Sequence, residues 1–473
     1  MGWGLREWDL KSRLLASFLA IFVAFSAPLH AQTSDEDRGY LAGLLESSLG
    51  GEGREVTIRG FKGALSSEAT IDEIEIADFD GTWLRISNAT LIWSRAALLS
   101  GRIDVDTLAA EKIELFRLPN AEENGLPAAE ATPFRLPELP VSIEIGSLTA
   151  REITLGESVL GASARLSLSA RASLIDGAID VIFNANRTDG QRGSFEGAVT
   201  YANKNAVLSL DLQLAEGEGG LAAKALNLPE SPSVDLAIQG AGPLDAFGAS
   251  LALATNDTER LRGSITLNAV GQTQITEGLE VAESASDLAF VADVAGDVAP
   301  LFLPEYQTFF GDRVSLKVRG TRRASGAVEL DTLNAKTSAL DLNGSLRLNT
   351  ALWPEFIDLN GVIETSSGAP ILLPIGGVPT TVGRVSLDVY YDGAKADTWR
   401  ARIGVGRFVR DTVSARRLGI EGGGTLVPAG ASIGSIAGVF ALEALDLDVG
   451  DAGFNEALGE TVRASFFTEY TQG

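Results

Sequence analysis

Apolar and polar residues alternate along most of this chain. In Arg165–Ala170, Leu166 and Leu168 are separated by serines. Leu208, Leu210, Leu212 and Leu214 alternate with Ser209, Asp211 and Gln213, and Ile265 and Leu267 with Ser264, Thr266 and Asn268. Val314, Leu316 and Val318 alternate with Ser315, Lys317 and Arg319. Leu340, Leu342, Leu346 and Leu348 bracket Asp341, Asn343, Ser345 and Arg347, and Val385, Leu387 and Val389 repeat the theme. A period of two places every apolar residue of such a segment on one face of a strand. One apolar face and one wet face predict antiparallel pairing.

The same reading extends upstream. Between Val56 and Leu118 the pairs Ile74/Ile76, Leu84/Ile86, Leu91/Trp93, Ile103/Val105 and Ile113/Leu115 alternate, with Gly81, Asn88 and Gly101 expected at turns. Residues 119–140 hold five prolines (Pro119, Pro127, Pro133, Pro137, Pro140) and read as a linker, because proline cannot join a sheet interior. Tyr40, Leu41, Leu44, Leu45 and Leu49 fall at helical spacing after Asp35, and a second helical interruption is expected over Pro300–Phe310, closed by Gly311. The expected organisation is a signal peptide or membrane anchor over 1–31, a helix-capped β module over 32–118, the linker over 119–140, and a repetitive β body over 141–473. At some 12 residues per strand and turn, that body should hold roughly 27 strands.

A sheet that is apolar on one side must cover that side. Helical segments are few, and a set of sandwiches would need several linkers where one is visible. The expected fold is therefore mainly β: a long, curled antiparallel sheet forming an open groove, with a few short helices. Its inner rows would carry Leu166, Leu168, Leu208, Leu210, Leu212, Leu214, Ile265, Leu267, Val314, Leu316, Val318, Leu340, Leu342, Leu346, Leu348, Val385, Leu387 and Val389. Aromatic residues are 7% of the chain, too few to fill a wide interior, so these rows are candidates for shielding acyl chains. A packed β core with no ligand is the competing reading.

Composition narrows the chemistry. There is no cysteine, and the one histidine, His30, lies in the export segment, so Ser-His-Asp catalysis and His or Cys metal sites are not expected in the body. A net charge of −25 argues against nucleic acid as a partner. No lysine follows a glycine, which excludes a P-loop, and Gly422-Gly423-Gly424 reads as a turn. Asp104 and Asp106 read as a solvated face rather than a calcium site. Neither catalytic, cofactor-binding nor metal-ligating residues are expected. Lys11 and Arg13 before the apolar run Leu14–Phe25 predict export of the body, through a cleaved signal or an uncleaved anchor.

Several segments resemble one family. Gly60-Phe61-Lys62-Gly63-Ala64-Leu65-Ser66-Ser67-Glu68-Ala69-Thr70-Ile71 is similar to a motif near the N-terminus of TamB proteins of the translocation and assembly module. Ile76–Leu84, Ala96–Arg102, Phe116-Arg117-Leu118-Pro119, Gly242-Pro243-Leu244 and Pro304–Gly311 follow in family order. The resemblance implies a periplasmic groove anchored in the inner membrane, related to AsmA-like bridge proteins that carry phospholipid. It also implies a TamA-like outer-membrane barrel as partner, reached through a C-terminal domain beyond the segments matched here, and a role in outer-membrane protein assembly.

Overall fold

The computed structural model describes residues 54–63, 66–119, 136, 141–270, 287–429 and 432–471. The export segment, the helix expected after Asp35 and most of the linker lie outside them. The described residues are mainly strand, and they fall into two units, one ending at Ala237 and the other running from Ile238.

The first unit contains β1 (Glu55–Arg59), β2 (Glu68–Asp78), β3 (Gly81–Ser94), helix α1 (Arg95–Leu98), β4 (Arg102–Leu115), β5 (Ser142–Leu155), α2 (Glu157–Leu160), β6 (Ala164–Ile175), β7 (Ala178–Arg187), β8 (Gly193–Ala202), β9 (Val207–Glu216) and α3 (Leu221–Ala225). Each strand pairs with the next in sequence, antiparallel in every case but one. The exception is β4 with β5, which run parallel. A tight hairpin cannot join parallel neighbours, so the chain must cross the sheet again before re-entering it. That requirement accounts for the long proline-rich segment between them. Leu136 pins the crossing: its N–H donates to Asn203 Oδ1 and its carbonyl accepts from Asn203 Nδ2, both at 2.8 Å.

Alternation is less regular in β2–β5 than downstream, and the register shows why. Apolar residues resume three positions on, rather than two, at Ile71/Ile74, Ile86/Ala89, Ala110/Ile113 and Ala150/Ile153. The intervening polar pairs Asp72-Glu73, Ser87-Asn88, Glu111-Lys112 and Arg151-Glu152 form one line across four strands. Asn88, expected at a turn, lies inside β3 with φ 51° and donates to Glu111 Oε2 at 3.1 Å. The left-handed backbone there, which Asn tolerates, switches the pleat without ending the strand. The outer face of β1–β5 is an ion ladder linking Arg59, Glu73, Glu75, Arg85, Glu114, Lys112 and Glu152.

Strand β10 (Val234–Pro243) holds the boundary between the units. The second unit continues with β11 (Gly248–Thr255), β12 (Thr258–Val270), β13 (Asp287–Gly296), α4 (Pro304–Phe310), β14 (Val314–Arg322), β15 (Val328–Lys336), β16 (Leu340–Leu348) and β17 (Pro354–Glu364). There follow β18 (Ile371–Leu372), β19 (Thr380–Val382), β20 (Arg384–Asp392), β21 (Ala396–Arg410), β22 (Val413–Ala429), β23 (Ser432–Leu445), α5 (Ala452–Leu458) and β24 (Thr461–Thr471). From β11 the ladder is antiparallel throughout, with β17 pairing β20 past the short hairpin β18–β19. Neither unit closes into a barrel among the described residues.

Two expectations change. After the linker, strands β5 to β24 number twenty among the described residues rather than about 27. Strands β21, β22 and β23 run 15, 17 and 14 residues, longer than the repeat assumed. Gly422-Gly423-Gly424 is no turn but the middle of β22, opposite Phe440, Val439 and Gly438 of β23.

A buried ion triad locks one end of β6–β9. Arg187, 7% exposed, makes a two-pronged contact with Asp189 (Nε–Oδ1 3.1 Å, Nη2–Oδ2 2.8 Å) and reaches Glu216, 4% exposed, at 3.1 Å. Glu216 also accepts from the N–H of Ala222 at 2.6 Å, which ties α3 to the strand end. Arg187, helped by the N–H groups of Arg165 and Gln191, holds the Asp189 carboxyl down from 3.8 to about 2. A depressed carboxylate contributes its full stabilisation above its unfolded value and loses it as the pH falls through the folded one. Between about pH 5 and pH 2 the chain should therefore lose roughly 2 kcal/mol more than an Asp189→Asn variant, read by urea unfolding at each pH. Parallel acid limbs in the two proteins would show that the triad does not titrate with folding.

Candidate functional site: a half-covered apolar face

Directly opposed residues of an antiparallel pair share a face, so the registers trace the apolar rows across the strands. In the first unit Leu168, Ala185, Phe195 and Leu214 form one row of β6–β9. Beside it run Ala170, Phe183, Gly197 and Leu212, then Ala172, Val181, Val199 and Leu210, then Leu174, Ile179, Tyr201 and Leu208. Leu166 lies opposite Ile153 on one side and Arg187 on the other, at the triad end. The reverse face of the same strands is polar: Ser169, Asn184, Glu196 and Gln213 form a typical row.

The second unit repeats this. One row reads Ile265, Ala292, Val318, Leu333, Gly344, Leu359, Val389, Ala401, Gly422, Phe440 and Phe466. Its neighbour reads Val294, Leu316, Ala335, Leu342, Gly361, Leu387, Ile403 and Ile420. Leu267 opposes Phe290, Val314 opposes Gly296, Leu340 opposes Ile363 and then Val385, Leu346 opposes Ile357, and Leu348 closes a row against Pro354. Every candidate lining residue thus lies on the apolar face of its own unit.

Burial separates these rows from a packed core. Leu166, Leu168, Leu208, Leu210, Leu212, Leu214, Leu267, Val314, Val318, Leu340, Leu342, Leu346, Leu348, Val385, Leu387 and Val389 are only half-buried, and Ile265 and Leu316 are 39% and 38% exposed. Full burial occurs instead near strand ends. In the first unit Trp93, Ile103, Val105, Ile143 and Leu174 cluster with Leu136 of the crossing. In the second, Phe309 of α4 packs with Ala339, Ile371 and Val382 at one end, and Trp353, Tyr391 and Leu426 pack at the other. Tyr391, 1% exposed, donates from its hydroxyl to the Leu426 carbonyl at 3.2 Å. Among the described residues, each unit has packed clusters near strand ends and an apolar middle that is only half-buried.

The sequence reading missed the aromatic part of this lining. Phe183, Phe195, Phe290, Phe440 and Phe466 all face inward, beside the aliphatic rows. They escaped notice because small residues break the alternation around them, and because Ile182 on the outer face of β7 blurs it. The small residues have a reason. Gly197 opposes Phe183, Gly320 opposes Phe290, Gly422 opposes Phe440, Gly361 opposes Leu342 and Gly263 opposes Val294. A Cβ at Gly320 would meet Phe290 Cζ at 2.9 Å, one at Gly422 would meet Phe440 Cδ1 at 2.7 Å, and one at Gly197 would strike the Phe183 ring. The bulky side chain leans over the glycine opposite it.

No group of acidic residues among those described is arranged to hold a metal ion, Asp104 and Asp106 included, and no described helix is long and apolar enough to cross a membrane. Residues 38–390 match the YdbH-like family, described as intermembrane phospholipid transport protein YdbH. No curated protein and no solved structure matches the chain. The match supports the broader expectation of a bridge protein and leaves TamB as a resemblance.

Large-and-small pairing predicts non-additive energetics. Gly197→Ala should cost roughly 1–3 kcal/mol through overpacking, read by denaturant unfolding, and most of that cost should vanish in a Phe183→Ala background. Additive costs would mean that the ring does not rest on Gly197.

Proposed function

The chain belongs to the YdbH-like family, and on that premise we propose that it moves phospholipid between two membranes by holding acyl chains against its apolar face. The observation that carries this reading is the half-covered state of the rows. A continuous apolar surface left open to solvent is costly, at roughly 25 cal/mol per Å², and a second sheet would normally cover it. A lipid tail supplies the same apolar cover and can be exchanged. Each methylene buried returns about 0.8 kcal/mol, and because a row presents similar apolar groups at each strand, a tail shifted by one strand finds much the same surroundings. Movement along such a surface is passive; no bond is made or broken, and the chain acts as a conduit and not as an enzyme.

The setting follows from the same premise. A conduit between membranes works in the periplasm, with phospholipid as its cargo and no cofactor. The likeness to the TamB family supports a finer version, in which residues 1–31 hold the chain at the inner membrane and a TamA-like barrel receives it at the outer one. On that version it also aids assembly of outer-membrane proteins.

Photocrosslinking tests the central claim face by face. A photoreactive side chain at Leu210 or Leu316 should capture phospholipid in cells, whereas the outward neighbours Ser209 and Lys317 should not. Equal capture from both faces, or none from either, would remove the proposal. A charge on the lining should act in the same direction: Leu387→Asp should lower the lipid that co-purifies with the full chain by at least about tenfold while the circular dichroism spectrum is retained.

A further inference from the structure

The inward positions of β13–β17 and β20 are apolar with one exception, Arg322 at the end of β14. It stands in a row with Leu288 on one side and Val328, Leu348 and Pro354 on the other. Its side chain is exposed and makes no ion pair or hydrogen bond with any described residue. The next residue shows what the outer face does with a cation. Arg323 contacts Asp287 at 2.9 Å and Glu329 at 2.5 Å. In a chain of net charge −25, Arg322 faces the apolar rows while the nearby carboxylates of Asp287 and Glu329 engage Arg323 on the reverse side.

The surroundings define what it would recognise. On one side lie Phe290, Leu330 and Leu346, the adjoining row of the apolar face, with Gly320 between Phe290 and Leu330. On the other side the strands end. A ligand matching this margin is apolar where it lies along the rows and anionic where it leaves them.

We propose that Arg322 binds the phosphate of a phospholipid whose acyl chains lie on the neighbouring apolar row, fixing the headgroup at the strand-end margin. This rests on the conduit reading above and adds to it a preference for phosphorylated over neutral lipids. An arginine suits the task because its guanidinium stays charged and offers paired donors to phosphate oxygens.

Mixed vesicles carrying equal amounts of dioleoyl phosphatidic acid and dioleoylglycerol separate the possibilities, since the two lipids differ only in the phosphate. The full chain is incubated with them, separated, and its bound lipid measured by mass spectrometry. The unaltered chain should take up the phosphatidic acid in preference by about tenfold. Arg322→Gln should bring the ratio close to one without changing uptake of the diacylglycerol, and Arg322→Lys should keep most of the preference. Equal uptake of both lipids by the unaltered chain, or a ratio unmoved by Arg322→Gln, overturns the Arg322 assignment while leaving the conduit intact. Loss of the preference in excess inorganic phosphate would mark a site for free phosphate instead and likewise overturn it. Uptake of neither lipid by the unaltered chain removes the conduit reading, and the assignment with it.

Discussion

A β-sheet satisfies its backbone through pairing, but pairing says nothing about its faces. The constraint that organises this protein is that one face of each unit is apolar and its middle rows stay only half-buried among the described residues. Water cannot be left against such rows without cost. The strand ends are treated as an ordinary core, with Trp93, Val105 and Ile143 in the first unit and Tyr391, Trp353 and Phe309 in the second. The middle of the face is not. The difference between ends and middle cannot be a matter of composition, since Leu and Val occupy both. It comes from what folds over them: a linker residue, a short helix, a small hairpin.

The outer faces show the complementary solution. Charges there are spent on one another, in the ladder from Arg59 to Glu152 in the first unit and in pairs such as Lys317 with Asp293 and Arg463 with Glu443 in the second. Exposed pairs of this kind contribute little to stability individually. Their larger effect is on register, because a one-residue slip would turn every charge onto the apolar side and every leucine into water. The buried Arg187 triad differs in kind, since removing one partner would strand a charge away from solvent.

Much of this was legible beforehand, and the failures share a cause. Leu208 to Leu214 announces a strand and its face without any structure, because strict period two has no other reading. The helix at Pro304–Phe310 was visible from its spacing and its closing glycine. The parallel pairing of β4 with β5 was not, since sequence patterning is the same for parallel and antiparallel neighbours and only the linker length hinted at it. Asn88 and Gly422–Gly424 were misplaced because residues that favour turns also serve inside strands, one to switch the pleat and the others to admit a close approach. The lining rows were legible as apolar faces. What was not legible was their accessibility, which depends on what is absent above them, and no local pattern encodes an absence.

The glycines connect these points. Glycine inside a strand costs about 0.5–1 kcal/mol relative to alanine, so its repeated use opposite Phe183, Phe290, Phe440, Leu342 and Val294 needs an offsetting gain. In a packed core the gain would be interdigitation with an opposing layer, and the large residues would stand up to meet it. Here they lie across the strand beside them. A side chain that leans over a glycine buries part of its own surface against the neighbouring strand. A sequence under selection only for a filled core has no reason to bear that cost at position after position. One selected to keep an apolar face against which its own large side chains are braced does.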